Sequence, residues 1–306
     1  MQKVYFSREI TSESLVKIYE AMGVSLFGKV GVKVSTGEAG SKNYLAADLI
    51  KPLVKKINGT IVECNTAYPG KRNNAKDHLK VAEEHGFTSV AEVDIMDAEG
   101  EFEIPVNNGK HLKTDIVGEN LKNYDSILNL AHFKGHAMGG FGGVLKNQSI
   151  GIASRNGKAL IHSAGKTRSP KMCWILPVKQ DNFVESMAEA AKAVSDYFGT
   201  KANKEESGYG VNGANGRILY IDVMNKMSVD CDCDAKQGDP VMQDIGILAS
   251  TDPVALDQAA IDLVWKSDDV GAKELQARVE RQNGRHILPY AEEIGLGSRE
   301  YELELI

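Results

Sequence analysis

Short apolar runs alternate with helical periodicities through the first half of the chain, the pattern of a mainly parallel sheet with helices on both faces. Lys29 to Val34 reads as a buried strand and Ser35-Thr36-Gly37-Glu38-Ala39-Gly40 as its exit loop. Leu45 to Ile57 reads as a helix that Asn58-Gly59 closes. Thr60 to Cys64 is the next strand, Asn65 to Asn74 a loop, Ala75 to Glu84 a helix ending at His85-Gly86, and Ser89 to Ile95 a third strand. This is a β-α-β-α-β succession. Gly100 to Thr114 predicts a small peripheral hairpin turning at Asn107-Asn108-Gly109. Ser126 to Leu130 is a further strand that delivers the chain into Ala131-His132-Phe133-Lys134-Gly135-His136 and a glycine-rich stretch.

In the second half, helical spacing runs from Asn182 to Phe198 with Gly199 as the stop, and Thr200 to Gly216 reads as a flexible loop. Arg217 to Val229 predicts a long or extended strand and Asp244 to Ala249 a short buried one. Ser250-Thr251-Asp252-Pro253 opens a helix that reaches Lys266. The remainder predicts a helical C-terminal region, closed by an edge strand over Tyr301 to Ile306. The expected fold class is α/β, organised as a single domain over 1–306 with a natural subdivision into 1–155 and 156–306.

Composition narrows the functional classes. Across 306 residues, 42% hydrophobic and 25% charged positions describe an ordinary globular chain and exclude wholesale disorder. A net charge of −6 lacks the basic footprint of a general nucleic-acid binder. No apolar stretch has signal-peptide or bilayer-spanning length, so neither a nucleic-acid nor a membrane partner is expected and the chain reads as cytoplasmic. Four cysteines are too few for a disulfide scaffold, so reduced thiols or metal ligands are expected.

Four segments carry candidate chemistry. His132-Phe133-Lys134-Gly135-His136 places two imidazoles and an ammonium at a strand exit, where α/β sheets gather ligands. Their alternative use is hydrogen bonding around a crowded loop. In Gly139-Gly140-Phe141-Gly142-Gly143-Val144-Leu145-Lys146-Asn147, bare backbone amides and Lys146 could seat an anion, or the glycines could serve close packing. Asp230-Cys231-Asp232-Cys233-Asp234, if a strand, aims both thiols to one face. That is half of a site for zinc, iron or a cluster edge, completed by His132, His136, Cys64 or Cys173, or else a pair of small buried residues. The exits at Ser35-Thr36-Gly37-Glu38 and Asn65-Thr66-Ala67-Tyr68, with Lys71-Arg72 beyond, are expected to share a crevice with the His132 loop. Asp244 and Asp252 flank the last buried strand, Asp252 as a helix cap.

At these residues the chain resembles a bacterial and archaeal family named for a domain of unknown function, number 362, whose members are labelled iron–sulfur centre proteins. The resemblance spans most of the chain. It rests on the His132 to His136 segment, on residues 140–147, on Asp230-Cys231-Asp232-Cys233, and on the run from Asp244 to Asp257. Many relatives carry a ferredoxin-like cassette of Cys-x-x-Cys ligands between the glycine-rich segment and the Cys-x-Cys segment. Here the matching stretch, Arg155 to Asp181, holds only Cys173, so this is a short form with no ferredoxin-type cluster motif.

Three functions follow as expectations. The first is an oxidoreductase with a metal ion or iron–sulfur cluster on Cys231, Cys233 and one or both of His132 and His136. There Lys134 and Lys146 fix a small anionic substrate and Glu38 or Asp244 moves protons, with an electron-transfer protein as the partner on the redox reading. The second is a metal-free enzyme or binding protein for a phosphorylated or carboxylated small molecule, using Gly139, Gly140, Gly142, Gly143, Lys146, Asn147 and Arg72. The third is a partner-binding scaffold that has lost its relatives' cassette.

Overall fold

The computed structural model describes residues 1–205 and 218–306. Residues 206–217, which include most of the predicted loop over Thr200 to Gly216, lie outside the described residues.

The chain opens with an element the apolar pattern did not single out, strand β1 (Gln2–Ser7), followed by helix α1 (Ser12–Ala21) under a Thr11/Ser14 capping box. The predicted succession then appears as β2 (Val30–Lys33), α2 (Ala47–Lys56), β3 (Thr60–Glu63), α3 (Ala75–Glu84) and β4 (Val93–Ile95). The fourth strand is shorter than expected because Phe87–Ser89 forms a 3-10 turn that buries Phe87. The hairpin is β5 (Glu101–Pro105) with β6 (Thr114–Gly118), antiparallel. It is not peripheral: Ile104, Ile116 and Val117 are core residues. Next come β7 (Ser126–His132), a second hairpin of β8 (Lys134–His136) and β9 (Gly140–Gly142), and helices α4 (Val144–Ile152) and α5 (Arg155–His162). Residues 163–179 are a turn-rich connection to α6 (Gln180–Glu205), which runs through Gly199 rather than stopping there. Strands β10 (Ile218–Met224) and β11 (Gly246–Ser250) precede α7 (Pro253–Lys266), α8 (Ala272–Arg281), α9 (Ile287–Glu293) and β12 (Tyr301–Leu305). As expected, Asp252 caps α7, its Oδ1 accepting Val254 N–H and Ala255 N–H.

Eight strands form one sheet in the order β12-β1-β11-β10-β7-β2-β3-β4, in which only the pairings of β11 are antiparallel. Each central strand is apolar on both faces, so the sheet is covered on both sides. One layer packs α1 and α2 against Val32, Leu128, Leu130 and Ile221. The other packs α4, α6 and α7 against Ile127, Ala131, Tyr220 and Leu248. From β2 the chain moves to β3 and β4 in one direction, then returns to β7 on the other side of β2. The carboxyl ends of β2 and β7 therefore flank a topological switch point, where such sheets bind ligands. Among the described residues no helix is long and apolar enough to cross a membrane.

The glycine-rich stretch serves packing. Gly139, Gly140, Gly142 and Gly143 are all buried. Gly140 has φ +81°, and a Cβ there would lie 2.8 Å from Gly284 Cα. At Gly143 a Cβ would lie 2.3 Å from Asp257 Oδ1, because the Asp257 carboxylate accepts the Val144 and Leu145 amides at 2.8 and 3.0 Å. Asp257 thus fills the helix N-terminus that an anion would have used. Gly143→Ala is expected to destabilise the protein by about 1–3 kcal/mol through overpacking. An unchanged midpoint in urea would show instead that the glycine is not needed for this packing.

Candidate functional site

A cleft of about 570 Å³ opens at the carboxyl ends of β2, β3 and the β8–β9 hairpin. Among its lining residues are Lys33, Ser35, Glu38, Arg72, Lys146 and Cys231. The exits of β2 and β3 meet there as the parallel order requires.

Cys231, Asp232 and Cys233 follow β10, and they form a tight turn rather than the expected strand: Asp234 N–H donates to the Cys231 carbonyl at 2.8 Å. The turn is folded around Asp232, whose side chain is fully buried. Lys134 Nζ lies 3.0 Å from both of its carboxylate oxygens, and His132 Nδ1 lies 3.4 Å from one of them. Burial pushes the Asp232 carboxyl up, but Lys134 and His132 overcome it and hold the group below the usual carboxylate range. The Asp232 carbonyl accepts Glu38 N–H at 2.8 Å, tying the turn to the exit of β2.

This anchoring turns both sulfurs toward the cleft. Cys233 N–H donates to Cys231 Sγ at 3.4 Å, and Lys146 Nζ lies 3.7 Å from the same sulfur. The hydrogen bond from the Cys233 thiol holds Cys231 below the ordinary thiol range against the effect of burial, and the Lys146 and Lys134 ammoniums add to it. The same hydrogen bond, with burial, pushes Cys233 up. In metal-free protein, Cys231 should alkylate with iodoacetamide below the pH at which ordinary thiols, near pKa ~8.5, react. Removing the cation in Lys146→Met should raise that pH by roughly one unit, since a positive neighbour favours the thiolate. Identical pH profiles in the two proteins would exclude Lys146 as a source of the effect.

Among the described residues, one group of three or more His, Cys, Asp or Glu side chains could hold a metal ion. It consists of His136, Cys231 and Cys233, whose ligand atoms all lie within 4.8 Å of one another. The expected His132 is not among them. Its Nε2 donates to the Asn225 carbonyl at 2.6 Å and its ring braces Asp232. Cys64 lines the cleft but its thiol donates to the Ile152 carbonyl, and Cys173 sits in the 163–179 connection with its thiol on the Pro170 carbonyl. His136 accepts Gly139 N–H at 2.9 Å through Nδ1, and burial together with Lys146 keeps the ring neutral.

Other candidates are distributed unevenly. Lys134 is buried against Asp232 and does not line the cleft, so the structure makes it a brace rather than a substrate contact. Asp244 is exposed before β11, accepts Lys226 N–H at 2.7 Å and does not line the cleft either. Glu38 does line it, with Oε1 accepting Lys71 N–H and Arg72 Nε 3.5 Å from Oε2. Asn147 lines it and bonds to Asn129 and to the Lys33 carbonyl. The amide groups of Gly139 and Val144 are engaged by His136 and Asp257, so the expected glycine-loop anion seat is occupied by the protein's own side chains.

The cleft also contains residues that sequence reasoning missed. Lys33, Glu63, Lys158, His162 and Trp174 all line it. Glu63 lies 3.5 Å from Arg72 Nη1 and 3.9 Å from Lys33 Nζ, and its other oxygen accepts Thr36 N–H. Burial pushes the Glu63 carboxyl up, yet Lys33, His78 and Arg72 hold it well below the usual range. His162 stacks on Phe183 and against Trp174, and burial, with Lys146 and Lys158, pushes it down to about 3. The overlooked signal was charge at the carboxyl ends of short buried parallel strands: Lys33 ends Val-Gly-Val-Lys and Glu63 ends Thr-Ile-Val-Glu.

No curated protein matches the sequence. Among solved structures, the lactate racemase apoprotein from Thermoanaerobacterium thermosaccharolyticum is similar at a TM-score of 0.43 and 11% identity, over 85% of this chain and 56% of that one. The chain therefore spans little more than half the length of that protein. The model of the family described as domain of unknown function DUF362 matches residues 30–262, which take in the His136 hairpin, the glycine-rich segment, the Cys231–Cys233 turn and the start of α7. By that match over most of its length, the chain belongs to the DUF362 family.

Proposed function

We propose that the cleft is the active site of a metal-dependent oxidoreductase acting on a small anionic compound, with the ion held by Cys231, Cys233 and His136. The observation that carries this reading is the convergence of two sulfurs and an imidazole within 4.8 Å on the wall of a cleft that also holds Arg72 and Lys146. Two thiolates and a nitrogen suit zinc, iron or another soft to borderline ion. They fall short of the four thiolates of a cubane cluster, and Cys64 and Cys173 are engaged elsewhere, so no such cluster is proposed.

A bound ion would supply Lewis acidity or a redox couple beside the substrate. The chain's own groups do the rest. Lys146 and Arg72 neutralise and orient an anion, and His162 and Trp174 give it an aromatic wall. Glu38, on the cleft wall with Arg72 Nε 3.5 Å from its Oε2, is the carboxylate that moves a proton in this reading. A cleft of about 570 Å³ suits a small ligand, since such sites run from about 300 to 1,000 Å³.

One observation favours a second reading, metal-free binding of a carboxylated or phosphorylated molecule beside a reactive Cys231. With Gly139 N–H on Nδ1, the neutral His136 ring carries its hydrogen on Nε2. That hydrogen, or the Gly139 bond, must be given up for the ring to ligate. Cobalt titration separates the two readings. Intense near-ultraviolet sulfur-to-cobalt absorption at one ion per chain supports the metal centre, and weak absorption without that band would leave the thiols unligated and the second reading in place.

A further inference from the structure

Two lysines of the cleft wall take no part in holding a metal or bracing the cysteine turn. Lys33 ends β2 with its side chain 1% exposed, and Lys158 projects from α5, itself 6% exposed. Lys33 Nζ donates to the Val34 carbonyl at 2.8 Å and to Asn147 Oδ1 at 3.2 Å. Lys158 Nζ donates to the Ala153 carbonyl at 2.6 Å and to the Cys64 carbonyl at 3.4 Å. Helix α4 is shaped around the first of them: a Cβ on Gly151 would lie 2.6 Å from Lys33 Cε.

The placement of Lys33 is unlike that of a structural ion pair. Its nearest carboxylate, Glu63, stands 3.9 Å away, beyond hydrogen-bond reach, and is already shared with Thr36 N–H and Arg72. A buried amine flanked by a second cation and lacking a bonded counter-charge favours its neutral, nucleophilic form. Burial, with Lys158 adding and Glu63 opposing, pushes Lys33 down to about 8. The cations Arg72, Lys146 and Lys158 around the same space supply the charge that an anionic carbonyl compound needs beside a nucleophilic amine.

We propose that Lys33 is a reactive amine that forms an imine with a small carboxylate carrying a ketone or aldehyde, of which a 2-oxo acid is the simplest. This rests on the reading of the cleft as an anion site and not on the metal. The Nζ lone pair adds to the carbonyl carbon while a proton moves from nitrogen to the carbonyl oxygen, giving a carbinolamine. Loss of that oxygen as water, with the remaining N–H proton, gives the imine. No electrons enter or leave, and hydrolysis reverses the sequence. The protons pass between nitrogen and oxygen through water, because Glu63 stands 3.9 Å from Nζ, beyond hydrogen-bond reach.

The test uses the full chain, with and without prior chelator treatment, incubated with pyruvate or glyoxylate and reduced with borohydride. The expected product is one adduct, heavier than the protein by the probe less one oxygen atom, on the peptide containing Lys33. Chelation should leave it unchanged, and excess lactate, an anion with no carbonyl to attack, should suppress it. Lys33→Arg, which keeps the charge, should abolish it, whereas Lys158→Arg should retain it. Adducts on Lys146, on Lys158 or spread over surface lysines would overturn the proposal. So would absence of any adduct in protein whose melting temperature the probes raise. If the probes neither label nor stabilise, the imine and the anion site fall together. Failed cobalt binding beside intact labelling of Lys33 would defeat the metal reading alone.

Discussion

Replacing Cys231 and Cys233 together by serine is expected to lower zinc or cobalt affinity by about four orders of magnitude. Structural zinc sites are worth roughly 10–16 kcal/mol across four ligands, so each ligand carries about 3 kcal/mol. Losing two is about 6 kcal/mol, at 1.4 kcal/mol per decade. His136→Ala should cost less than either cysteine, because its Nδ1 already serves Gly139 N–H and the ring must give up a hydrogen or a hydrogen bond to ligate. Occupancy should also fall in acid, since protons compete for the thiolates. Anaerobic elemental analysis of the wild type and the double variant, both shown to be folded by circular dichroism, reads the outcome. Equal metal content in the two would leave the thiols without a metal role.

Lys134→Ala is expected to destabilise the fold by about 3–5 kcal/mol at neutral pH, the usual effect of leaving a buried charge without its partner. The stranded charge is Asp232, fully buried at the centre of the cysteine turn. Its carboxyl is held below the ordinary aspartate value of ~3.9 in the folded protein. The stabilisation is therefore fully present above that value and is lost as pH falls through the folded-state one. Urea midpoints of wild type and variant should differ most at neutral pH and converge in strong acid. Adding Asp232→Asn to the variant should recover part of the loss. A difference under about 1 kcal/mol at neutral pH would show that Lys134 is not the partner that matters.

Much of the sheet was legible because its strands are short apolar runs bounded by strong stops. Asn58 takes φ +48° after α2, and Asn74 caps α3 where the pattern places it. Strand β1 was not singled out because Lys3 and Ser7 interrupt its apolar positions, and its place beside β11 is set by long-range pairing. The site was legible in its members more than in their roles. His136, Lys146, Cys231 and Cys233 do meet, but His132 and Lys134 were displaced into bracing Asp232. Nothing in Asp-Cys-Asp-Cys-Asp distinguishes the one acid that is buried from the two that are not. That choice belongs to the partners across the fold, Lys134 and Glu38 N–H. Lys33 and Lys158 escaped notice because single lysines are ordinary on surfaces and only tertiary burial makes these two exceptional.

The connection over residues 163–179 joins two helices, α5 and α6, that already pack on one another, and it lends the cleft little beyond Trp174. Lengthening such a span changes only the entropy of closing a loop, about 0.6 kcal/mol for each doubling, and leaves every strand register untouched. The fold therefore carries a socket at this point. A compact insert whose own ends lie close together would be accommodated there while Cys231, His136 and Lys33 keep their places. Chain length at this point is in that sense the variable part of the architecture, and the arrangement of the cleft is its fixed part.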